Sequence, residues 1–205
     1  MKIICAGMNY VIHNKELHYT LMNREPAIFM KCDASLLKDG KPFFIPDFSS
    51  DMQYKTEVVV KISRLGKNIA RQFAPRYYEE ITVGIDMTAQ DLQKKLKGNG
   101  LPWELSQSFD GSAVVGRFAR LKDLPYDIDH LPFHLDVNGR TVQEGNTAGM
   151  LFRVDELIEY VSRFVTLKMG DLIYTGTPAG AGKVHIDDHL QGYIGDKKFL
   201  DFYIR

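Results

Sequence analysis

Seven short runs rich in β-branched and aromatic residues, cut apart by Gly, Pro, Asn and Asp, constrain this chain more than any other feature. They fall at 3–5, 27–30, 58–62, 81–85, 114–118, 172–174 and 199–204. Such runs read as strands, because branched and aromatic side chains pack well on a pleated surface. Turn chemistry separates them, as in Lys38-Asp39-Gly40-Lys41-Pro42. The Asn138-Gly139 pair between strand-like flanks predicts a hairpin. Helical spacing is strongest over 150–165, where Leu151, Val154, Leu157, Ile158, Val161, Phe164 and Val165 recur with the helical period. A second helix is predicted over 88–97, with Thr88 as its cap and Asp91 three residues on. The expectation is one mainly-β domain with a few helices (α+β), spanning 1–205.

Length and charge bound the partners. With 205 residues the chain can bury a full core, and 44% apolar with 25% charged residues is ordinary for a globular protein. Lys plus Arg and Asp plus Glu both number 26, so nothing in the net charge calls for nucleic acid or an anionic membrane. No apolar window approaches the length of a bilayer span. Met1-Lys2 runs straight into Ile3-Ile4, too short for the apolar region of a signal peptide. Cys5 and Cys32 lack CxxC spacing and are expected to be buried thiols in a reducing compartment. A cytoplasmic location is the expectation.

Five sequence words go further. Gly7-Met8-Asn9-Tyr10-Val11-Ile12-His13-Asn14-Lys15-Glu16 is similar to G-R-N-Y-x-x-H-x-x-E, and Phe29-Met30-Lys31-Cys32-Asp33 to F-x-K-P-x. Tyr54-Lys55-Thr56-Glu57-Val58-Val59-Val60 is similar to Y-E-x-E-L-x-V. The stretch from Gly84 to Gln93 follows G-x-D-x-T-A-R-D-x-Q, and that from Gly170 to Gly180 follows G-D-x-I-x-T-G-T-P-x-G. In this order and over nearly the whole chain, they resemble the fumarylacetoacetate hydrolase family, in particular its single-domain acylpyruvase and 2-hydroxyhepta-2,4-diene-1,7-dioate isomerase-like members. The resemblance implies the rolled β-sheet of that family's C-terminal domain and a homodimer. It also implies hydrolysis, decarboxylation or isomerisation of small 2-oxo or β-diketo acids with Mg²⁺ or Mn²⁺.

Carried over position by position, Glu57 and Asp86 match two metal ligands, and His13 and Glu16 the acid–base pair. Lys31 and Thr177 match substrate contacts. Four positions depart from the pattern. Lys55 stands where the third metal carboxylate belongs, Gln90 and Gln107 replace an arginine and a catalytic lysine, and Met8 replaces another arginine. Gln90 and Gln107 are read either as neutral replacements in an inactive site or as amides that bind a different ligand by hydrogen bonds. Lys55 is expected to pair with Glu57 and Asp86 as a fixed cation in the metal's place. His18, His130, His134, His185 and His189 lack matched partners and read as ordinary surface or core residues. The turn at Thr175-Gly176-Thr177-Pro178 lacks Walker spacing and reads as a pocket-lining turn. Three readings stay open: a family protein with a weakened or altered site, an active Mg²⁺-dependent enzyme on a 2-oxo acid, and a metal-free protein that binds a small carboxylate.

Overall fold

The computed structural model describes residues 1–10 and 25–205, and in it every one of the seven apolar runs contributes to a strand. The first strands are β1 (Ile3–Gly7), β2 (Ala27–Lys31), β3 (Leu36–Leu37), β4 (Met52–Tyr54) and β5 (Thr56–Ile62). Then come β6 (Tyr78–Asp86), β7 (Thr88–Ala89), β8 (Ala113–Val115), β9 (Ala119–Arg120), β10 (Pro132–Val137) and β11 (Arg140–Asn146). The last are β12 (Leu172–Tyr174), β13 (Gly182–Lys183), β14 (His189–Ile194) and β15 (Lys197–Tyr203). Two α-helices are described, α1 (Gln90–Gly98) and α2 (Val154–Phe164).

The largest sheet runs β2-β1-β12-β5-β6-β8-β3, with β9 added to β6. The parallel β1–β12 pair sets Cys5 beside Tyr174, and β5 pairs antiparallel with both β12 and β6. Val58, Val60 and Ile62 face one buried cluster, shared with Leu157, Ile158 and Val161 of α2, while Val59 faces another with Ile3, Cys5 and Tyr174. Both faces are therefore covered, which is why the run 58–60 is unbroken valine rather than alternating. A second sheet, β11-β10-β14-β15, packs Leu135, Leu190, Leu200 and Phe202 against Ile85 and Val114. The Asn138-Gly139 turn has φ of 53° and 75°, the left-handed pair that a tight hairpin needs.

Several boundaries differ from expectation. The strand expected over 114–118 ends at Val115, because Gly116 comes so close to Phe199 that a Cβ there would lie 2.4 Å from the Phe199 carbonyl oxygen. Helix α2 begins at Val154, not at 150, because Asn9 takes the preceding backbone for itself. The N–H groups of Leu151 and Phe152 donate to the Asn9 carbonyl and to Asn9 Oδ1, both at 2.8 Å. Thr88 does not cap a helix; it lies in β7, and α1 starts two residues later. Asp91 instead fixes that end of α1, accepting from Ser49 Oγ at 2.6 Å and from the Ser50 N–H at 2.8 Å. Cys5 is buried as expected, but Cys32 is exposed.

Candidate active site

Strand register brings the matched carboxylates together. Glu57 at the start of β5 pairs with Gly84 of β6, and Asp86 lies two residues further along that strand. The end of β1 and the turn after β12 reach the same edge of the sheet. Together they wall a cavity of about 770 Å³, onto which Lys55, Glu57, Asp86, Gln90, Gln107 and Thr177 all open. Met8 also lines it, at a φ of 53°. His13 and Glu16 lie outside the described residues.

Lys31 and Lys55 are not placed as expected. The Lys31 side chain rises from β2 beneath the site and makes a 2.7 Å ion pair with Asp86 Oδ1, with no exposure of its own. Its three protons are shared among four acceptors, the Asp86 carboxylate and the carbonyls of Gln107, Met87 and Ser112. It thus clamps Asp86 from behind and is not among the residues that line the cavity. Because Lys31 already satisfies Asp86, Lys55 does not pair with it. Lys55 sits in the break between β4 and β5, where its Nζ donates to Thr88 Oγ1 at 3.0 Å. Thr88 in turn approaches Asp86 Oδ1 at 3.5 Å, so Lys55 reaches the aspartate through a hydroxyl.

Glu57 is 2% exposed and accepts one bond, from the Gly176 N–H at 2.7 Å. Gly176 can deliver it because its φ is +99° and a Cβ there would sit 2.6 Å from Asn9 Cβ. Burial first, and then the Asp86 charge, push the Glu57 carboxyl up to about 8, against the opposing pull of that N–H and the two lysines. Gln107, 3% exposed, donates weakly through Nε2 to Asp86 Oδ2 at 3.4 Å and to Thr88 Oγ1 at 3.5 Å. Its Oε1 is buried with no partner among the described residues.

Sequence reasoning missed several residues here. Gln143 of β11 locks the site's far wall: its Oε1 accepts from the Thr56 N–H at 3.0 Å, and its Nε2 donates to Thr177 Oγ1 and the Pro178 carbonyl, both at 2.8 Å. Lys97 and Gln93 of α1 and Trp103 beyond it also line the cavity. The i, i+3, i+7 spacing of Gln90, Gln93 and Lys97 on one helical face was the available signal.

A divalent ion does not fit this donor set. Hard cations take several oxygen ligands, with carboxylates supplying the charge. Here Asp86 is already ion-paired and Lys55 brings an ammonium into the cavity. Among the described residues no three His, Cys, Asp or Glu side chains gather in one place. Lys31 is matched by Asp86, and with the Glu57 carboxyl pushed up to about 8 the Lys55 ammonium is left as the uncompensated charge near neutral pH. What the arrangement can do is hold a carboxylate or enolate oxygen against a fixed ammonium.

This rolled sheet with paired carboxylates at one edge is the frame of an enzyme family that works on small oxo acids. The chain belongs to the fumarylacetoacetate hydrolase family: the family described as fumarylacetoacetate (FAA) hydrolase C-terminal matches residues 2–202. It is 35% identical over 203 residues to the mitochondrial oxaloacetate tautomerase of Mus musculus, covering 99% of this chain and 91% of that protein. To the corresponding Caenorhabditis elegans protein it is 36% identical over 204 residues, covering 100% and 94%. Among solved structures, the fumarylpyruvate hydrolase of Pseudomonas aeruginosa in complex with Mn²⁺ and pyruvate superposes with a TM-score of 0.90 at 28% identity, covering 100% of this chain and 89% of that one.

Proposed function

We propose that this protein binds small 2-oxo acids in the cavity through fixed lysine charge instead of a divalent ion. Its turnover of them is weakened or altered relative to family members that hold a metal. The observation that carries this reading is the pair of lysines: Lys31 already neutralises Asp86, and Lys55 occupies the cavity wall where a third ligand would reach. A metal supplies Lewis-acid polarisation of the oxo group, and a hydrogen-bonded ammonium replaces only part of that. Groups that act as a unit in catalysis lose more than additively when one is replaced, and Lys55, Gln90 and Gln107 are three such replacements. The His13–Glu16 pair keeps the proton-moving role in this reading.

The test is thermal unfolding of chelator-treated protein titrated with Mn²⁺ and Mg²⁺, alongside Lys55→Glu. A ligand that binds only the folded state at a hundred times its Kd stabilises by about 2.7 kcal/mol. Wild type gains nothing, while Lys55→Glu shifts upward. The Mn²⁺ and pyruvate held by the Pseudomonas aeruginosa enzyme favour a second reading, an active metal-dependent hydrolase or isomerase of a 2-oxo acid. Stabilisation of wild type by sub-millimolar metal supports that one and overturns ours. A homodimer is part of the proposal and is read by light scattering. So is a cytoplasmic location, against relatives whose names are mitochondrial, and cell fractionation decides it.

A further inference from the structure

Residues two apart on a strand share a face, so Glu57, Val59 and Lys61 of β5 all point the same way. Glu57 opens on the cavity described above, and Val59 packs with Ile3, Cys5 and Tyr174 in a buried plug. Lys61, about 13 Å further along the strand, opens on a second cavity beyond that plug. This one measures about 760 Å³ and shares no described lining residue with the first. Val115 and Leu172 belong both to the plug and to its lining, and Leu36, Phe118 and Phe199 add apolar surface. Its charges are unevenly matched. Lys61 pairs with Glu80 at 2.5 Å across the β5–β6 ladder, its Nζ 5.0 Å from the Phe118 ring centroid. Asp201 is satisfied by Lys198, His189 and Gln191. Lys38, Asp39 and Arg117 make no ion pair among the described residues, so the lining carries two free cations against one free carboxylate. The backbone under both cations is fixed. Arg117 donates its N–H to the Phe199 carbonyl at 2.8 Å and accepts from Thr82 Oγ1 at 2.9 Å. The Asp39-Gly40 turn, with φ of 64° and 66°, lies so near β15 that a Cβ on Gly40 would meet the Asp201 carbonyl oxygen at 3.1 Å. The two segments therefore dock on β15 at residues two apart, about 7 Å along the strand.

We propose that this opposite cavity is a second ligand site, which takes a small carboxylate with an apolar or aromatic body. The anionic group pairs with Arg117, and Lys38 adds to the positive field around it. The body lies on the apolar lining that Leu36, Phe118 and Leu172 supply. A guanidinium fork holds a carboxylate through two parallel hydrogen bonds, which a lone ammonium does not offer. A largely apolar lining with a few placed polar groups is how a cavity of this volume holds a small molecule. The site stands apart from the chemistry of the first cavity, because the plug between them is fully packed.

The experiment is titration calorimetry of the full chain with phenylacetate, with 2-phenylethanol as its uncharged counterpart and acetate as the anion without a body. Phenylacetate binds about tenfold more tightly than either, and its advantage over the alcohol shrinks as salt rises. Arg117→Met removes that advantage and Arg117→Lys keeps part of it. Arg117 is exposed, so neither change endangers the fold. In Lys55→Met phenylacetate still binds, and the amide resonances that move on its addition to wild type fall in 115–118 and 170–172. No binding, equal binding of phenylacetate and 2-phenylethanol, or an advantage unchanged in Arg117→Met overturns the proposal. Binding abolished by Lys55→Met, or resonance shifts confined to 86–93, puts the probe in the first cavity and overturns it too. None of these outcomes involves a metal or a 2-oxo acid, so this site stands or falls separately from the function proposed above.

Discussion

Lys31 and Asp86 form a closed pair, one side chain wholly buried and the other 2% exposed. Breaking such a pair by removing one partner strands the other charge without water, at a cost of about 3–5 kcal/mol. Lys31→Met therefore destabilises the fold by that amount in urea unfolding. Adding Asp86→Asn recovers part of the loss, a non-additivity that contacting residues show. Glu57 carries the pH dependence. Its folded-state carboxyl is raised to about 8, so the folded chain holds a proton that the unfolded chain releases near the ordinary glutamate value. That contribution is fully present below the unfolded value and is lost as pH climbs through about 8. In chelator, wild type loses stability relative to Glu57→Gln between pH 5 and 8 (roughly the window set by those two values), and unfolding midpoints across that window check it. Sequence alone placed Glu57 and Asp86 at one site, since both lie within matched words. It did not show which lysine reaches Asp86, because that depends on how the sheet brings Lys31 of β2 to Asp86 of β6, strands with three others between them in the sheet order and residues far apart in the chain.

Helix α1 presents the cavity wall from an end tied to the 49–51 loop, where the Gln90 N–H donates to the Asp51 carbonyl at 2.9 Å and Asp91 anchors the first turn. Asp91 takes four hydrogen bonds, from Ser49 Oγ, from the backbone and side chain of Ser50, and from the Leu92 N–H. Those bonds hold its carboxyl well below the usual carboxylate range despite some burial. The anchor is therefore intact above the ordinary aspartate value and weakens only as the solution becomes strongly acidic. Asp91→Ala loosens the tie between the 49–51 loop and α1 and costs about 1.5–3 kcal/mol, the range for hydrogen bonds to a charged group. Because Gln90, Gln93 and Lys97 ride on this helix, hydrogen exchange over 90–98 rises with it and ligand affinity falls. The capping pattern at Thr88 misled the sequence reading by two residues. β7 pairs with β4 there and takes Thr88 into a strand, a tertiary override of a local signal.

The largest sheet, helix α2 and the turn over Glu57 all converge on Asn9, which is 1% exposed. Its Nδ2 donates to the carbonyls of Phe152 at 2.9 Å and Thr175 at 2.7 Å, while its Oδ1 accepts from the Phe152 N–H at 2.8 Å. These bonds join the start of the chain to segments 143 and 166 residues away, and they set Gly176 where its N–H meets Glu57. The class of the fold was legible because apolar runs and turns are local. The words that marked the family were legible as words, but their meeting place was not, since nothing in the word containing Asn9 shows what its amide binds until β1 and β12 are known to be parallel neighbours. Asn9→Ala deletes all three bonds and leaves buried carbonyls and an N–H without partners, each worth about 1–3 kcal/mol. The expected result is a lower urea midpoint with an unchanged slope, since the surface exposed on unfolding stays the same. Asn9→Asp keeps the acceptor but loses both donors, placing a carboxylate against two carbonyls near Glu57, and it destabilises at least as much. If Asn9→Ala lowers the midpoint but leaves the pH 5 to 8 profile set by Glu57 unaltered, the link from Asn9 through Gly176 to Glu57 is broken as an argument. A profile displaced toward higher pH, as a weakened Gly176 N–H would produce, sustains it.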